Sequence, residues 1–202
     1  MLKTKKITFI IGSLRRGGAE RVISILANDY ISRGWEVDVI LLLFNEVNYE
    51  INSKVNIIDF TFGDNSRLKR LPSWILNLRK YAKENNPDVI VSFAARINII
   101  TLISCLGLNK KVFISERNDP MNDGRSKFVV ILTKILYPIS KGIVFQTEYA
   151  KSKFPNYSNS VIISNPISTP NISREKINTK IVNVGRLTEQ KNQILLIEAF
   201  AS

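Results

Sequence analysis

Two short segments carry groups able to handle an anion. The first, Gly12-Ser13-Leu14-Arg15-Arg16-Gly17-Gly18-Ala19-Glu20-Arg21, follows a strand-like run and opens a helix-like one. Its glycines let backbone amides approach a ligand closely. The helix start behind them offers unpaired N–H groups and a partial positive charge. It is not a P-loop, because Gly18-Ala19 stands where Lys-Ser/Thr is needed, and it is not the G-x-G-x-x-G dinucleotide fingerprint. An ordinary tight turn between strand and helix is the competing reading. The second segment, Gly185-Arg186-Leu187-Thr188-Glu189-Gln190-Lys191, again lies between a strand-like and a helix-like run. Arg186 and Lys191 can converge there on one phosphate, the guanidinium bidentately and the ammonium as a point charge. Two solvated cations on a surface loop fit the same residues.

Composition removes other chemistries. The 202 residues contain no histidine and one cysteine, Cys105. Imidazole general-base catalysis, His-ligated metal, an internal disulfide and any multi-cysteine metal site are therefore excluded. A single cysteine also suits a reducing compartment. Lys and Arg number 29 against 17 Asp and Glu, a net charge of +12. Charge of this size gives salt-dependent, sequence-blind affinity for nucleic acid, but no recognition motif or aromatic-stacking signature accompanies it. The apolar run Ile7–Ile11 is too short for a secretory core. The richest apolar window, Val89 to Leu108, carries Arg96 and Asn98 near its middle, which hydrocarbon would penalise. A cytoplasmic protein is expected, with a peripheral position on the inner face of the cell membrane left open.

The elements that must position these groups alternate. Runs 6–12, 35–44, 55–61, 88–93, 111–115, 142–147 and 160–164 read as strands, and 19–33, 67–85, 96–106, 126–140 and 148–154 as helices. Gly34 stands where a helix C-cap belongs, Pro87 ends the second helix, and Pro138 is expected to bend the fourth. Repeated alternation of this kind predicts an α/β fold, a Rossmann-like parallel sheet with helices on both faces. Residues 166–180 are rich in Ser, Thr, Asn and Pro and read as a linker. A further strand, 180–184, and a helix from Asn192 follow. Three segments are thus expected: a domain over 1–165, a linker over 166–180, and the truncated start of a second domain over 181–202. That last piece is too small to bury its own apolar residues, so it is expected to be poorly ordered or to cover another apolar surface. Between Arg67 and Lys83 six cations and no acid accompany an apolar stripe that includes Leu71, Ile75 and Leu78. Such a helix suits an anionic membrane surface, or equally a core-facing stripe with a solvated basic face.

At this point the chain resembles a known family. The segments GGAERVISILAND (17–29), ISERNDP (114–120), GIVFQTEYAKSKFP (142–155), VIISNPI (161–167) and NVGRLTEQKNQILLIEAFA (183–201) look like the retaining family-4 glycosyltransferases of GT-B fold, in order along the whole chain. The resemblance implies an N-terminal domain that holds the acceptor and a second domain, only begun here, that holds most of a nucleotide-sugar donor. It implies transfer of a sugar with retention to a hydroxyl acceptor, in bacterial polysaccharide or lipid-linked glycan synthesis. No metal or other cofactor is implied, and the sugar nucleotide enters as substrate. By the same resemblance, Gly17 and Gly18, with Glu20 and Arg21 beside them, belong to a segment that meets donor phosphates and acceptor. Arg186 and Lys191 match the pair that stabilises the departing diphosphate. Many members carry a histidine after the strand at 111–115. Here Glu116, Arg117 and Asn118 stand in that loop, so Glu116 is a candidate for a catalytic polar contact and Arg117 and Asn118 for substrate contacts. The acidic E-x₇-E donor segment of the family is absent, so these 202 residues alone are expected to be inactive. The alternative is a non-catalytic module that binds an acceptor or a partner.

Overall fold

The computed structural model describes residues 4–61, 67–117, 123–166, 182–185 and 192–201. The chain divides into two compact units, Met1–Pro166 and Ile167–Ser202. In the first, seven strands form one sheet in the order β3-β2-β1-β4-β5-β6-β7. They are β1 (Lys6–Ile11), β2 (Glu36–Leu41), β3 (Asn56–Asp59), β4 (Val89–Phe93), β5 (Val112–Ser115), β6 (Gly142–Phe145) and β7 (Ser160–Ile162). All neighbouring pairs run parallel. The helices between them are α1 (Gly18–Ser32), α2 (Arg67–Glu84), α3 (Ala95–Cys105), α4 (Lys127–Leu136) and α5 (Glu148–Ser152), and a 3₁₀ turn, Tyr137–Ile139, extends α4. The α/β class and the Rossmann-like sheet expected from the alternation are what the chain forms.

The two sheet faces are packed by different helices. Ile7, Phe9 and Ile11 of β1 and Val37, Val39 and Leu41 of β2 pack with Val22, Ile23 and Ala27 of α1. The opposite face carries Ile10, Ile40, Ile90 and Ile114 against Trp74, Leu78 and Ala82 of α2 and Ile97 and Ile100 of α3. Alternation along each strand thus assigns its residues to two cores. The stripe on α2 is consumed by this packing. Two of its guanidiniums are committed too: Arg70 donates to the Thr61 carbonyl at 2.7 Å, and Arg79 to those of Ser104 and Leu106 at 3.1 and 2.7 Å. Arg79 thereby occupies acceptors at the C-terminus of α3, where a cation is favoured.

Helix ends follow their residues. Gly34, at φ 78°, closes α1, and the Trp35 N–H turns back to the Tyr30 carbonyl at 3.0 Å. Ser126 caps α4 through its hydroxyl, which accepts from the Val129 N–H. Pro138 sits inside the 3₁₀ turn that ends the helix, the break expected from its missing N–H. In the second unit Gln193–Ala201 forms α6, none of whose residues is buried. Val182–Val184 is not in a strand. Lys180 and Ile181 of that expected strand, and 167–180 of the expected linker, lie outside the described residues.

One polar cluster crosses the sheet interior. The Asp38 carboxylate of β2 accepts from the Tyr81 hydroxyl of α2 and from Asn56 at 3.0 Å, and pairs with the Lys6 ammonium at 2.8 Å. Thr8 shares a hydrogen bond with the same hydroxyl at 2.8 Å. A buried carboxylate is tolerated only when paired and hydrogen-bonded, and here three elements satisfy it. Removing the hydroxyl with Tyr81→Phe leaves Thr8 and Asp38 each short of a partner. Urea unfolding is expected to show a loss of about 1–3 kcal/mol. A loss below about 0.3 kcal/mol would show the cluster to be incidental.

Candidate functional site

Strand order reverses at β1. The chain leaves β1 for β2 on one side and returns at β4 on the other, so a crevice opens at the C-terminal ends of β1 and β4. Open parallel sheets bind ligands at such a switch point. The start of α1 lies on one side of this crevice and the start of α3 on the other.

The glycine turn is held in place by a segment remote in sequence. The Leu14 N–H donates to the Glu46 carbonyl and the Asn48 N–H to the Leu14 carbonyl, both at 2.9 Å. The Arg15 guanidinium stacks on Phe44 at 3.8 Å and pairs with Glu46. That pairing raises the Arg15 pKa and lowers that of Glu46, chiefly through the side-chain hydrogen bond. The Tyr49 hydroxyl accepts from the Gly17 N–H at 3.0 Å and donates to the Gly17 carbonyl at 2.8 Å, clamping one residue from both sides. Gly17 is the N-cap of α1 in extended backbone, and Glu20 folds back over it. A Cβ on Gly17 would stand 2.2 Å from Glu20 Oε2, whereas one on Gly18 would meet only Asn165 Nδ2 at 3.8 Å. Gly17 is therefore needed for this arrangement of Glu20, and Gly18 beside it is exposed, with Asn165 at ordinary contact distance. Arg21 is exposed on the first turn of α1.

Across the crevice, Glu116, directly after β5, is held from beneath. Glu116 is 1% exposed. Its carboxylate accepts from the Tyr137 hydroxyl at 2.7 Å and from the two Arg125 amino groups at 3.2 and 3.4 Å. Tyr137 in turn accepts from the Asn98 amide at 3.3 Å, and Asn98 accepts from the Ser92 hydroxyl at 2.8 Å. Arg125 also forks onto Asp123, with Nε donating at 2.9 and 3.0 Å. Burial and the neighbouring Glu116 charge push the Tyr137 hydroxyl well above its ordinary pKa, so it stays a donor. Burial lowers the Arg125 pKa, but hydrogen bonding to Asp123 and the Glu116 charge outweigh it and raise the value, so the guanidinium stays charged. The sequence-based expectation for Glu116 was a contact with acceptor or donor. The structure directs its carboxylate inward, with both oxygens engaged and the side chain 0% exposed.

Arg117, the next residue, is half-buried. Its Nη1 donates to Asn165 Oδ1, and its guanidinium lies over the Phe93 ring at 4.9 Å. The Gln146 amide donates to the same Asn165 oxygen at 3.3 Å. Arg117 Nε is buried without a hydrogen-bond partner, and burial pushes the pKa of the group down to about 10. A guanidinium so placed is under-compensated and gains from an added anion. Gly18, Asn165, Gln146 and Arg117 thus join the start of α1 to the ends of β5, β6 and β7. Asn118, Arg186 and Lys191 lie outside the described residues.

Ala94 was not singled out from sequence. It ends β4 at φ 76° and ψ 143°, a conformation that non-glycine residues rarely adopt. Its N–H donates to the Ser115 carbonyl at 3.1 Å and its carbonyl accepts the Asn98 N–H at 2.8 Å, so the turn is held from both sides. Backbone strain of this kind gathers at ligand clamps and active sites. Nothing in the composition of Ser92-Phe93-Ala94-Ala95 announces it. The sequence likewise gives no sign of Gln146 and Asn165 as site residues, although Asn165 lies in the segment VIISNPI.

Comparison with known proteins adds to this geometry. The family model for Glycosyltransferase Family 4 matches residues 16–169. A curated Campylobacter jejuni protein, GalNAc-alpha-(1->4)-GalNAc-alpha-(1->3)-diNAcBac-PP-undecaprenol alpha-1,4-N-acetyl-D-galactosaminyltransferase, is 29% identical over 97% of this chain and 56% of its own length. A second from the same organism, N-acetylgalactosamine-N,N'-diacetylbacillosaminyl-diphospho-undecaprenol 4-alpha-N-acetylgalactosaminyltransferase, is 31% identical over 98% of this chain and 59% of its own length. The chain therefore spans a little over half the length of the curated relatives it matches. Among solved structures, sucrose-phosphate synthase from Thermosynechococcus elongatus superposes with a TM-score of 0.64 at 13% identity, over 79% of this chain and 48% of that one. HepE of Anabaena in complex with UDP and glucose gives 0.62 at 16% identity, over 81% and 45%.

The conformation of Ala94 is open to a direct test. Ala94→Gly relieves the strained φ and is expected to hold stability level or raise it by up to about 1 kcal/mol. Ala94→Val, a β-branched residue at the same dihedrals, is expected to lower it by about 1–3 kcal/mol. Equal effects of the two on the urea midpoint would show that the turn is not strained.

Proposed function

The chain belongs to glycosyltransferase family 4, and from that premise we propose that it supplies the acceptor side of an enzyme that moves a sugar, with retention, from a nucleotide-sugar donor to a hydroxyl of a lipid-linked glycan. The observation that carries this reading is the convergence of the exposed start of α1 at Gly18 with the under-compensated Arg117 guanidinium, through Asn165, at the strand-order crevice. Both are suited to an anionic group, and a nucleoside diphosphate or a polyprenyl diphosphate brings one. The relatives named for undecaprenol-linked acceptors support the lipid-linked choice.

In the proposed reaction the bond from the sugar C1 to the diphosphate oxygen breaks, and a bond from C1 to the acceptor oxygen forms on the same face. The acceptor proton passes to the departing phosphate oxygen, and the nucleoside diphosphate leaves. Negative charge grows on the diphosphate as C1 takes on oxocarbenium character. Fixed cations aimed at that oxygen lower the barrier because they are oriented beforehand. Arg186 and Lys191 are proposed for this task. Arg117, with Gly17 and Gly18, is proposed to hold an anionic group of the bound substrates. Glu116 is proposed for positioning rather than substrate contact: with Tyr137 and Arg125 it anchors the backbone that carries Arg117.

Two measurements test the assignment. In the intact enzyme, Arg186→Ala with Lys191→Ala is expected to cut kcat by at least about 100-fold, the usual effect of losing one oriented transition-state donor. Unchanged turnover would overturn the catalytic assignment. Arg117→Ala is expected to raise the KM for donor or acceptor about 10-fold or more, as loss of a charge-assisted hydrogen bond of about 1.5–3 kcal/mol requires, with a smaller change in kcat. A change confined to kcat would place Arg117 elsewhere. Residues 1–202 alone are expected to release no nucleotide from a panel of UDP- and GDP-sugars in the presence of acceptor.

A further inference from the structure

The side-chain amide of Asn165 is held in one orientation by its neighbours. The Arg117 guanidinium donates to Asn165 Oδ1, and the Gln146 amide reaches the same oxygen at 3.3 Å. A guanidinium has donors and no acceptor, so the atom facing it must be the carboxamide oxygen. The Gln146 atom that meets this oxygen must then be its amide nitrogen. Both hydrogen bonds of the Asn165 side chain among the described residues are made by Oδ1, which leaves Nδ2 without an acceptor there. Nδ2 lies 3.8 Å from the point where a Cβ on Gly18 would stand, and no side-chain atom of Glu20 comes within 4 Å of that point. The backbone leading to Asn165 is tied to the end of β6. The Ile163 N–H donates to the Phe145 carbonyl at 2.8 Å, and the Ser164 hydroxyl donates to the Gln146 carbonyl at 3.4 Å.

We propose that Asn165 is a substrate contact of the transfer reaction, its Nδ2 donating to an oxygen of the diphosphate that Arg117 and the start of α1 hold. The proposal rests on the acceptor-side reading above and adds a neutral donor to its site. The surroundings of Nδ2 set the chemistry. Arg117 brings a positive charge, and its buried Nε has no partner. Gly18 and Ala19, in the first turn of α1, bring backbone N–H groups for which a helix holds no acceptor. A sugar hydroxyl would satisfy one of these donors and bring another. A diphosphate oxygen offers lone pairs alone and can answer several at once. Gln146 is a positioning residue in this arrangement: its hold on Oδ1 keeps Nδ2 turned towards Gly18. A nucleotide-sugar donor and a polyprenyl-linked acceptor each carry a diphosphate, and kinetics separates the two.

Steady-state rates of the intact enzyme, with donor and acceptor varied in turn, test the assignment. Asn165→Ala is expected to raise the KM of the substrate bound there about tenfold, the effect of losing one hydrogen bond to a charged group, with kcat changed less. The substrate whose KM rises identifies the source of the diphosphate. Asn165→Asp keeps the shape but sets a carboxylate against the anion, and the rise is expected to reach at least about 100-fold. On an Arg117→Ala background, Asn165→Ala should still raise KM severalfold, whereas a residue acting only through Arg117 would add nothing. Gln146→Leu should cost about threefold, and nothing once Asn165 is gone. Asn165→Ser stands in for the alanine variant should that one fail to fold. Three results would overturn the proposal: Asn165→Asp no worse than Asn165→Ala, changes confined to kcat, or no added effect of Asn165→Ala without Arg117. Inorganic pyrophosphate, titrated into the enzyme in a calorimeter, reads the same contact without sugar transfer, and its Kd should rise in the same order. An unaltered enzyme that transfers no sugar yet keeps this pyrophosphate order would fault the functional proposal alone.

Discussion

A buried carboxylate that must be answered on every side organises the far wall of the crevice. Glu116 immediately follows β5, where its backbone N–H still pairs with the Val144 carbonyl of β6 at 2.9 Å. Its charge is out of water, so the interior has to supply donors: Tyr137 from the turn after α4 and Arg125 from the loop before it. Arg125, also withdrawn from solvent, calls in Asp123. Tyr137 recruits Asn98, and Asn98 ties down Ser92 and the Ser115 carbonyl, at 3.1 Å for the latter. A partly satisfied network of this kind is worse than none, so each member constrains the next. The backbone that carries Arg117, the next residue, is thereby anchored at Glu116.

The near wall is built by a different device. The turn Gly12–Gly17 is crossed by residues 44–49, which add backbone hydrogen bonds, a stacked cation and the two-sided clamp of Tyr49. Asn28 of α1 extends the same contact, donating to the Glu50 carbonyl at 3.1 Å and accepting the Asn52 N–H at 2.8 Å. The start of α1 is thus oriented before any ligand arrives, which reduces the ordering a ligand must impose.

The fold was legible because its signal is local. Short β-branched runs, periodic apolar runs, and Gly34 and Pro138 as punctuation are written in neighbouring residues. The site was less legible because its signals are pairings at long range. Glu116 has its donors nine and twenty-one residues away, and the strap on Gly17 comes from thirty-two residues on. An acid in a loop looks the same in sequence whether it points out or in. The apolar stripes show the same limit. On α2 the cationic pattern fits an interface and a core-facing stripe equally, and packing takes Trp74, Leu78 and Ala82 inside. On α4 nearly every position is apolar, so periodicity could not say which residues the core would leave over. Ala94 shows a third kind of silence, since its dihedrals are imposed by Ser115 and Asn98 rather than by its own preference.

The placing of β1 has a consequence for the birth of the protein. Its two neighbours are β2, reached after about thirty residues, and β4, whose register with Ile7 begins at Val89. During synthesis one edge of β1 stays unpaired until the chain has emerged as far as β4. Long-range parallel pairing is slow and leaves strand edges open to other chains meanwhile. The nascent polypeptide is therefore at its most vulnerable to aggregation between the emergence of Leu41 and that of Phe93.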